Sequence, residues 1–109
     1  MPRDEIPPGT LYMLILRMLE RYGELHGFEI AKAIEQISRD ILQVEEGSLY
    51  PALQRMLVKG WVKARWGTTA ENRRARYYRL TPVGKKQLAV ELEQFERVMG
   101  AVARVIQPA

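Results

Sequence analysis

Lysine and arginine are concentrated in one stretch of this 109-residue chain. Between positions 55 and 86 there are ten Lys and Arg and one acid, Glu71, which gives the stretch a formal charge of +9, whereas the remainder carries −5. Clustered cations can replace the counterions that condense on a nucleic-acid backbone. The pattern therefore favours a nucleic-acid partner over a solvated basic surface, and an acidic protein partner is the alternative.

Residues that could perform catalysis or bind a metal are few. The chain has no Cys and a single His, His26, so a thiolate zinc site and a Cys nucleophile are excluded. Ser48 has no His or Lys base near it in the sequence, and a position at a helix N-terminus explains it better than catalysis. His26 directly precedes Gly27 and suits a helix cap. We expect no enzymatic activity, no cofactor and no bound metal.

The sequence also predicts a compartment. Without Cys there is no disulfide, which fits a reducing cytosol. Positions 1–8 carry charges and three prolines rather than the apolar core of a signal peptide. No apolar run approaches the roughly 18 residues that span a bilayer. We expect a cytoplasmic protein without a membrane partner.

Hydrophobic periodicity predicts two helices before the basic stretch. The first spans 10–22 and is closed by Gly23. Tyr12 and Leu16 fall off its main apolar stripe, which indicates that this helix meets a second surface, such as a partner subunit. The second helix spans about 27–38.

A third helix is predicted at about 48–59, after a connection at 40–46. Pro51 lacks an N–H and belongs in the first turn of a helix, which places the start near position 47 or 48. One face of this helix is apolar, whereas its outward face is small and polar at its N-terminal end. The outward face and its flank carry Ser48, Tyr50, Pro51, Gln54 and Arg55.

A β-hairpin and a long helix follow. Alternation at 61–66 and aromatic residues at 75–80 predict two paired strands, joined by a basic tip at 67–74. We call this hairpin the wing. Thr81 and Pro82 predict the cap and first residue of a final helix, whose apolar residues recur at spacings of four and three, as in helix-on-helix packing. Those residues are Leu88, Leu92, Phe95, Met99, Val102 and Ile106.

Three helices, a hairpin and a final helix, in this order, are typical of a winged helix-turn-helix, an α+β fold that is mainly α. In such folds the third helix enters the DNA major groove, and the wing reaches the flanking backbone or minor groove. We therefore divide the chain into an N-terminal tail at 1–9, a DNA-binding domain at 10–80 and a C-terminal dimerisation helix at 81–109.

Three blocks of residues resemble PadR-family transcriptional regulators. They are Leu25-His26-Gly27-Phe28-Glu29-Ile30, then Val44-Glu45-Glu46-Gly47-Ser48-Leu49-Tyr50-Pro51-Ala52-Leu53, then Trp66-Gly67 followed by Asn72-Arg73-Arg74-Ala75-Arg76-Tyr77-Tyr78-Arg79-Leu80-Thr81. The single helix after the wing resembles the short subfamily. The resemblance implies a homodimer whose last helices pack against each other. It also implies binding to a pseudo-palindromic operator, and repression of transcription that a small molecule relieves.

The resemblance assigns roles to particular residues. Contacts with double-stranded DNA are expected from the third helix and the wing, at Ser48, Tyr50, Pro51, Gln54, Arg55, Asn72, Arg73, Arg74 and Arg76. The dimer interface is expected at the six apolar residues of the final helix. A small apolar or aromatic effector would occupy a pocket lined by Tyr12, Leu16, Phe95 and Met99. Packing against the wing is the alternative for Tyr50, and plain dimer packing is the alternative for Phe95 and Met99. A protein-interaction module is the alternative function.

Overall fold

The computed structural model describes residues 4–5 and 9–109. In chain order the elements of this part are β1 (Asp4–Glu5), α1 (Leu11–Tyr22), β2 (Glu24–His26), α2 (Gly27–Ile37), β3 (Leu42–Gln43), α3 (Glu46–Val58), β4 (Val62–Thr68), β5 (Arg74–Leu80) and α4 (Pro82–Ile106). The predicted order of three helices, a hairpin and a long final helix is confirmed. None of the helices described is long and apolar enough to cross a membrane.

Three strands form an antiparallel sheet at the base of the wing. Their order is β2-β5-β4, so β5 is the central strand. Tyr78 of β5 lies opposite Leu25 of β2 and Ala64 of β4. Because Tyr78 is buried, this face of the sheet packs on the core. The strand β2 was not predicted, and it ties the segment that enters α2 to the wing.

A second pair of strands joins the N-terminal part to the segment before α3. β1 and β3 run parallel, with Asp4 opposite Leu42 and Glu5 opposite Gln43. The predicted connection at 40–46 therefore contains a strand. The other residues of the predicted tail, 1–3 and 6–8, lie outside the described residues.

The core is organised around α1, which contacts the three other helices as well as β2 and β5. Its apolar residues face several elements, as the broad apolar surface predicted. The fully buried large side chains among the described residues are Ile15, Leu16, Leu19, Ile30, Leu49, Leu53, Met56 and Leu88. The first part of α4 belongs to this core through Leu88, so α4 is anchored to the winged-helix body.

The helix α3 begins earlier than the position of Pro51 predicted. It starts at Glu46, which places Pro51 in the second turn instead of the first. Pro51 cannot donate to the carbonyl of Gly47, but Gly47 is exposed, so water can satisfy that carbonyl. The prediction of a start near 47 or 48 was wrong because it assumed that Pro51 lies in the first turn of the helix.

Two of the helix caps follow the prediction. The imidazole Nδ1 of His26 accepts a hydrogen bond from the Glu29 N–H at 3.4 Å, and the Glu29 carboxylate accepts one from the His26 N–H at 3.1 Å. This reciprocal arrangement is a capping box. At α4 the Thr81 hydroxyl accepts from the Gly84 N–H at 3.0 Å, with Pro82 at the first helical position. His26 is thus a structural cap at the entry to α2.

Candidate nucleic-acid interface

The outward face of α3 is exposed along its length. Leu49, Leu53 and Met56 are buried against the core, and helical spacing then turns the intervening residues towards solvent. The residues predicted to contact DNA from this helix are all exposed: Ser48, Tyr50, Pro51, Gln54 and Arg55. Their side chains are therefore available to base edges and phosphates.

Tyr50 rests against the start of α2. A Cβ atom built on Gly27 would lie 2.8 Å from Cε1 of the Tyr50 ring, so the absence of a side chain at Gly27 allows this approach. Burial raises the pKa of the nearby Tyr78 phenol, an effect that the Arg76 charge opposes and that Tyr50 reinforces. Tyr78 and Tyr50 both line the groove between the wing and the start of α2.

Arg55 is held in place by Tyr12 of α1. Its guanidinium lies 5.6 Å from the centre of the Tyr12 ring, and its Nε–H donates to the Tyr12 hydroxyl. Tyr12 in turn meets Trp61 edge-on, with ring centres 5.6 Å apart. Arg55 is thus an ordered cation on the outer side of α3.

The tip of the wing is a tight turn. The Asn72 N–H donates to the Thr69 carbonyl at 2.9 Å and the Thr69 N–H donates to the Arg73 carbonyl at 2.8 Å. Asn72 has a φ of 59°, a left-handed conformation that Asn tolerates better than most residues. The tip is shorter than the predicted 67–74, since β4 continues to Thr68 and β5 begins at Arg74. Asn72 and Arg73 are exposed at its end.

Two further cations of the wing, Arg74 and Arg76, lie close to the ring of Trp66. The guanidinium carbons of Arg74 and Arg76 lie 4.5 and 5.9 Å from the centre of its ring. Trp66 lies opposite Arg76 in the strand register, and Arg74 is two residues away on the same face of β5. Trp66 belongs to the residues that resemble the family but was not among the predicted DNA contacts, although the register of the hairpin places it beside Arg76.

A groove of about 900 Å³ joins the wing to α3. Tyr50 lines one part of it and Trp66 another, while Gly27 at the start of α2 also borders it. The wing contributes Arg73, Arg74 and Arg76 to this groove. A smaller cavity of about 380 Å³ lies beside α3 and is lined by Tyr12, Ser48, Pro51 and Arg55 among others. Gln54 and Asn72 line neither.

An ion pair that sequence analysis missed spans the sheet at the base of the wing. Arg65 of β4 donates from Nε and Nη2 to the Glu24 carboxylate of β2, at 3.0 and 2.7 Å. These hydrogen bonds, with the Arg65 charge, lower the pKa of Glu24. A lowered pKa means that the contribution of the pair to stability is present at neutral pH and is lost as the pH falls through it. The Arg65 side chain is 59% exposed and the Glu24 side chain 27%, so solvent partly screens the effect.

The predicted dimer residues of α4 divide into two groups. Leu88 is 1% exposed and lies in the core of its own protomer, so the prediction that it meets a partner was wrong. Leu92 is half-buried. Phe95 and Met99 are 41% and 43% exposed. Val102 and Ile106 are exposed as well.

The predicted effector pocket loses one of its residues. Leu16 is 0% exposed and packed in the core, so it cannot line a pocket at a dimer centre. The sequence placed it off the main stripe of α1, but that second side of α1 faces other elements of the same chain. Tyr12 borders the cavity beside α3, where it holds Arg55. Phe95 and Met99 are the pocket residues that remain exposed on α4.

The described residues contain no group of three or more His, Asp or Glu that could hold a metal ion. The surfaces that they do form are aromatic and mainly cationic: α3 with an ordered Arg55, and a groove that carries three arginines of the wing beside the carboxylates of Glu29 and Glu71. Such a surface can bind a polyanion by charge and can present polar side chains to base edges.

Comparisons with known proteins agree with this description. Residues 15–90 match the family model described as the transcriptional regulator PadR-like family. A transcriptional regulator from Clostridium thermocellum has a similar structure, with a TM-score of 0.83 and 28% identity over 91% of this chain and 95% of that one. The structure of a PadR-like transcriptional regulator from Bacillus cereus is also similar, with a TM-score of 0.77 and 25% identity over 93% of this chain and 95% of that one.

A third similar structure contains DNA. It is Bacillus subtilis PadR in complex with operator DNA, with a TM-score of 0.67 and 25% identity over 76% of this chain and 46% of that chain. The family match covers most of the chain, and the helices and wing of the fold are those of a winged helix-turn-helix. The chain therefore belongs to the PadR-like family of transcriptional regulators, and its fold is that of a winged helix.

Proposed function

We propose that the protein is a homodimeric repressor that places α3 of each protomer in the major groove of an operator and is released from it by a small molecule. The observation that carries the proposal is the shared groove, in which Tyr50 of α3 and the arginines of the wing face the same space. One continuous protein surface would then place α3 in the major groove and the wing on the flanking DNA backbone.

The exposed residues of α3 would read the sequence of the operator. Gln54 can form a paired hydrogen bond with adenine, and Ser48 can bond with more than one base. Arg55 would reach guanine or a phosphate from a position that Tyr12 has already ordered. Tyr50 and Pro51 would supply apolar contacts beside them.

The wing would supply sequence-independent affinity. Arg73, Arg74 and Arg76 would neutralise phosphates, and Asn72 at the tip would donate to the backbone. Contacts of this kind position a protein on the duplex without distinguishing one sequence from another.

The dimer would form through the exposed apolar residues of α4, namely Leu92, Phe95, Met99, Val102 and Ile106. Two protomers related by a two-fold axis would then bind the two halves of a pseudo-palindromic operator. An apolar or aromatic effector would contact Phe95 and Met99 between the two helices and alter the separation of the α3 helices. Plain packing of these two side chains is the alternative.

Combining Arg73→Ala with Arg74→Ala is expected to reduce the salt dependence of DNA binding. In the proposed dimer these substitutions remove two phosphate contacts from each protomer, four in all, which lowers the magnitude of the slope of log K against log salt concentration by about 3.6. The slope is measured by fluorescence anisotropy with a labelled duplex across a series of salt concentrations. The loss of affinity should be similar for different duplex sequences, because phosphates carry no sequence information.

The matched control is Lys85→Ala with Lys86→Ala, which removes two exposed cations from the first turns of α4, outside the wing. We expect a smaller change in slope for this pair. Equal slopes for the wing variant and the unaltered protein would remove the wing from the DNA interface. Salt-insensitive binding throughout would favour a protein-interaction module instead.

A further inference from the structure

Trp66 is a large aromatic side chain on the surface of the wing, with 57% of its area exposed. Along its face of the sheet, Val62 and Tyr78 are buried in the core, but the hairpin extends beyond the core before it reaches Trp66. Among the described residues, the Trp66 ring does not belong to the core cluster. Its described partners are the guanidinium groups of Arg74 and Arg76, at 4.5 and 5.9 Å.

Two other arginines near this surface lie over an aromatic ring as well, but each of them also has a polar partner. Arg65 is paired with the Glu24 carboxylate, and Arg55 donates to the Tyr12 hydroxyl. Within residues 9–109, Arg74 and Arg76 make no side-chain hydrogen bond or ion pair, and the Trp66 ring is a neighbour that both guanidinium groups share. Their positive charges are not neutralised by this contact, since the ring carries no net charge.

Stacking on a ring leaves the binding capacity of a guanidinium intact. A guanidinium that lies flat on a ring keeps its N–H donors pointing outwards in its own plane, where they stay free for phosphate oxygens. A free Arg side chain must give up rotamer freedom when it binds, and a side chain that is already ordered loses less. Ordering two arginines before DNA arrives would therefore strengthen binding.

We propose that Trp66 is a positioning residue for DNA binding, whose ring holds Arg74 and Arg76 ready for the phosphates of the duplex. The proposal rests on the contact between the wing and DNA proposed above. Trp66 acts through the arginines, so its removal should weaken affinity without removing any charge.

The test compares Trp66→Leu, which keeps an apolar side chain on β4 but lacks a ring, with Trp66→Phe, which keeps a smaller ring. Binding of a random-sequence DNA duplex is measured by anisotropy over a series of salt concentrations. Trp66→Leu should bind about tenfold more weakly, which reflects two side chains that must now be ordered on binding. The salt slope should change little, and Trp66→Phe should recover most of the loss.

A double-mutant cycle separates positioning from direct contact. In a protein that carries Arg74→Ala and Arg76→Ala, the further change Trp66→Leu should have little effect, because no arginine is left to position. A full tenfold loss in that background would mean that Trp66 acts on DNA by itself, which would overturn the proposal.

A spectroscopic readout tests the free protein and does not depend on DNA. The Nε–H resonances of Arg74 and Arg76, assigned with Arg→Lys variants, should be displaced by the ring current of Trp66 in the unaltered protein. The displacement should vanish in Trp66→Leu while the backbone amide spectrum of the hairpin is retained. Undisplaced resonances in the unaltered protein would overturn the proposal, whether or not Trp66→Leu folds well.

The outcomes also distinguish the two proposals. If the Arg74→Ala, Arg76→Ala protein keeps the salt slope of the unaltered protein, the contact of these arginines with DNA fails, and the role of Trp66 fails with it. If the salt slope of that protein is reduced but Trp66→Leu binds DNA as tightly as the unaltered protein, the contact of the wing with DNA stands. The proposal that Trp66 positions the arginines is then wrong.

Discussion

Replacing both Phe95 and Met99 by Asp is expected to produce monomers and to weaken operator binding by about 100-fold or more, since the gain from linked half-sites is lost. Both side chains are partly exposed in the protomer. A helix interface between two copies would bury them, and two carboxylates facing their symmetry mates there would be both desolvated and repelled. The protomer itself should stay folded, because neither residue belongs to its core.

Light scattering gives the mass of the particle, and anisotropy with the duplex upstream of the gene for this protein gives the affinity. The matched control is Val90→Asp, which places one carboxylate on the opposite side of α4, where Val90 is also exposed. This control should remain dimeric. A dimer that persists in the Phe95→Asp, Met99→Asp protein would place the interface on another surface.

Gly84→Ala is expected to destabilise the protein by about 3 kcal/mol or more, beyond the usual range for overpacking. A Cβ atom at this position would lie 2.0 Å from the carbonyl oxygen of Trp61. That carbonyl accepts a hydrogen bond from the Thr81 N–H at 3.1 Å. Moving it would therefore break the hydrogen bond that links the residue before β4 to the cap of α4. Backbone, not a flexible side chain, would have to shift.

Gly100→Ala is the matched control on the same helix. The nearest atom to a Cβ there is Nη1 of Arg104 at 3.8 Å, an ordinary contact with a flexible side chain. Alanine should therefore stabilise α4 by about 0.5–1 kcal/mol through its helix propensity. Urea unfolding measures the free energy of unfolding of the Gly84→Ala and Gly100→Ala variants. Both are measured at one fixed protein concentration, since the stability of a dimer depends on concentration. Similar stabilities for the two variants would contradict the packing of α4 on Trp61.

The long elements were predictable because their patterns repeat over several turns. The helices α1, α2 and α4 follow apolar residues at helical spacing, and Thr81 with Pro82 marks the start of α4. β2 is three residues long, and β1 and β3 are two residues each, so no period can be observed in them. Those strands depend on pairing with distant parts of the chain, which local sequence does not reveal.

The candidate site was predictable to the extent that it follows from helical periodicity and charge. The buried leucines of α3 determine its outward face, and the basic residues mark the wing. The apolar pattern of α4 could not show that Leu88 packs on its own protomer, since the same spacing serves an intramolecular and an intermolecular partner. The contacts of Arg55 with Tyr12 and of Arg74 with Trp66 arise from tertiary packing. Sequence spacing alone gives no sign of the contact between Arg55 and Tyr12, which lie 43 residues apart.

The central claim is that this protein binds a specific DNA sequence. The most direct test is fluorescence anisotropy with the duplex upstream of its own gene beside a scrambled duplex of the same composition, each at two salt concentrations. We expect tight binding to the native duplex, with a much weaker and strongly salt-dependent interaction with the scrambled one. Equal affinity for the two duplexes, or no binding to either, would contradict sequence-specific recognition of this region.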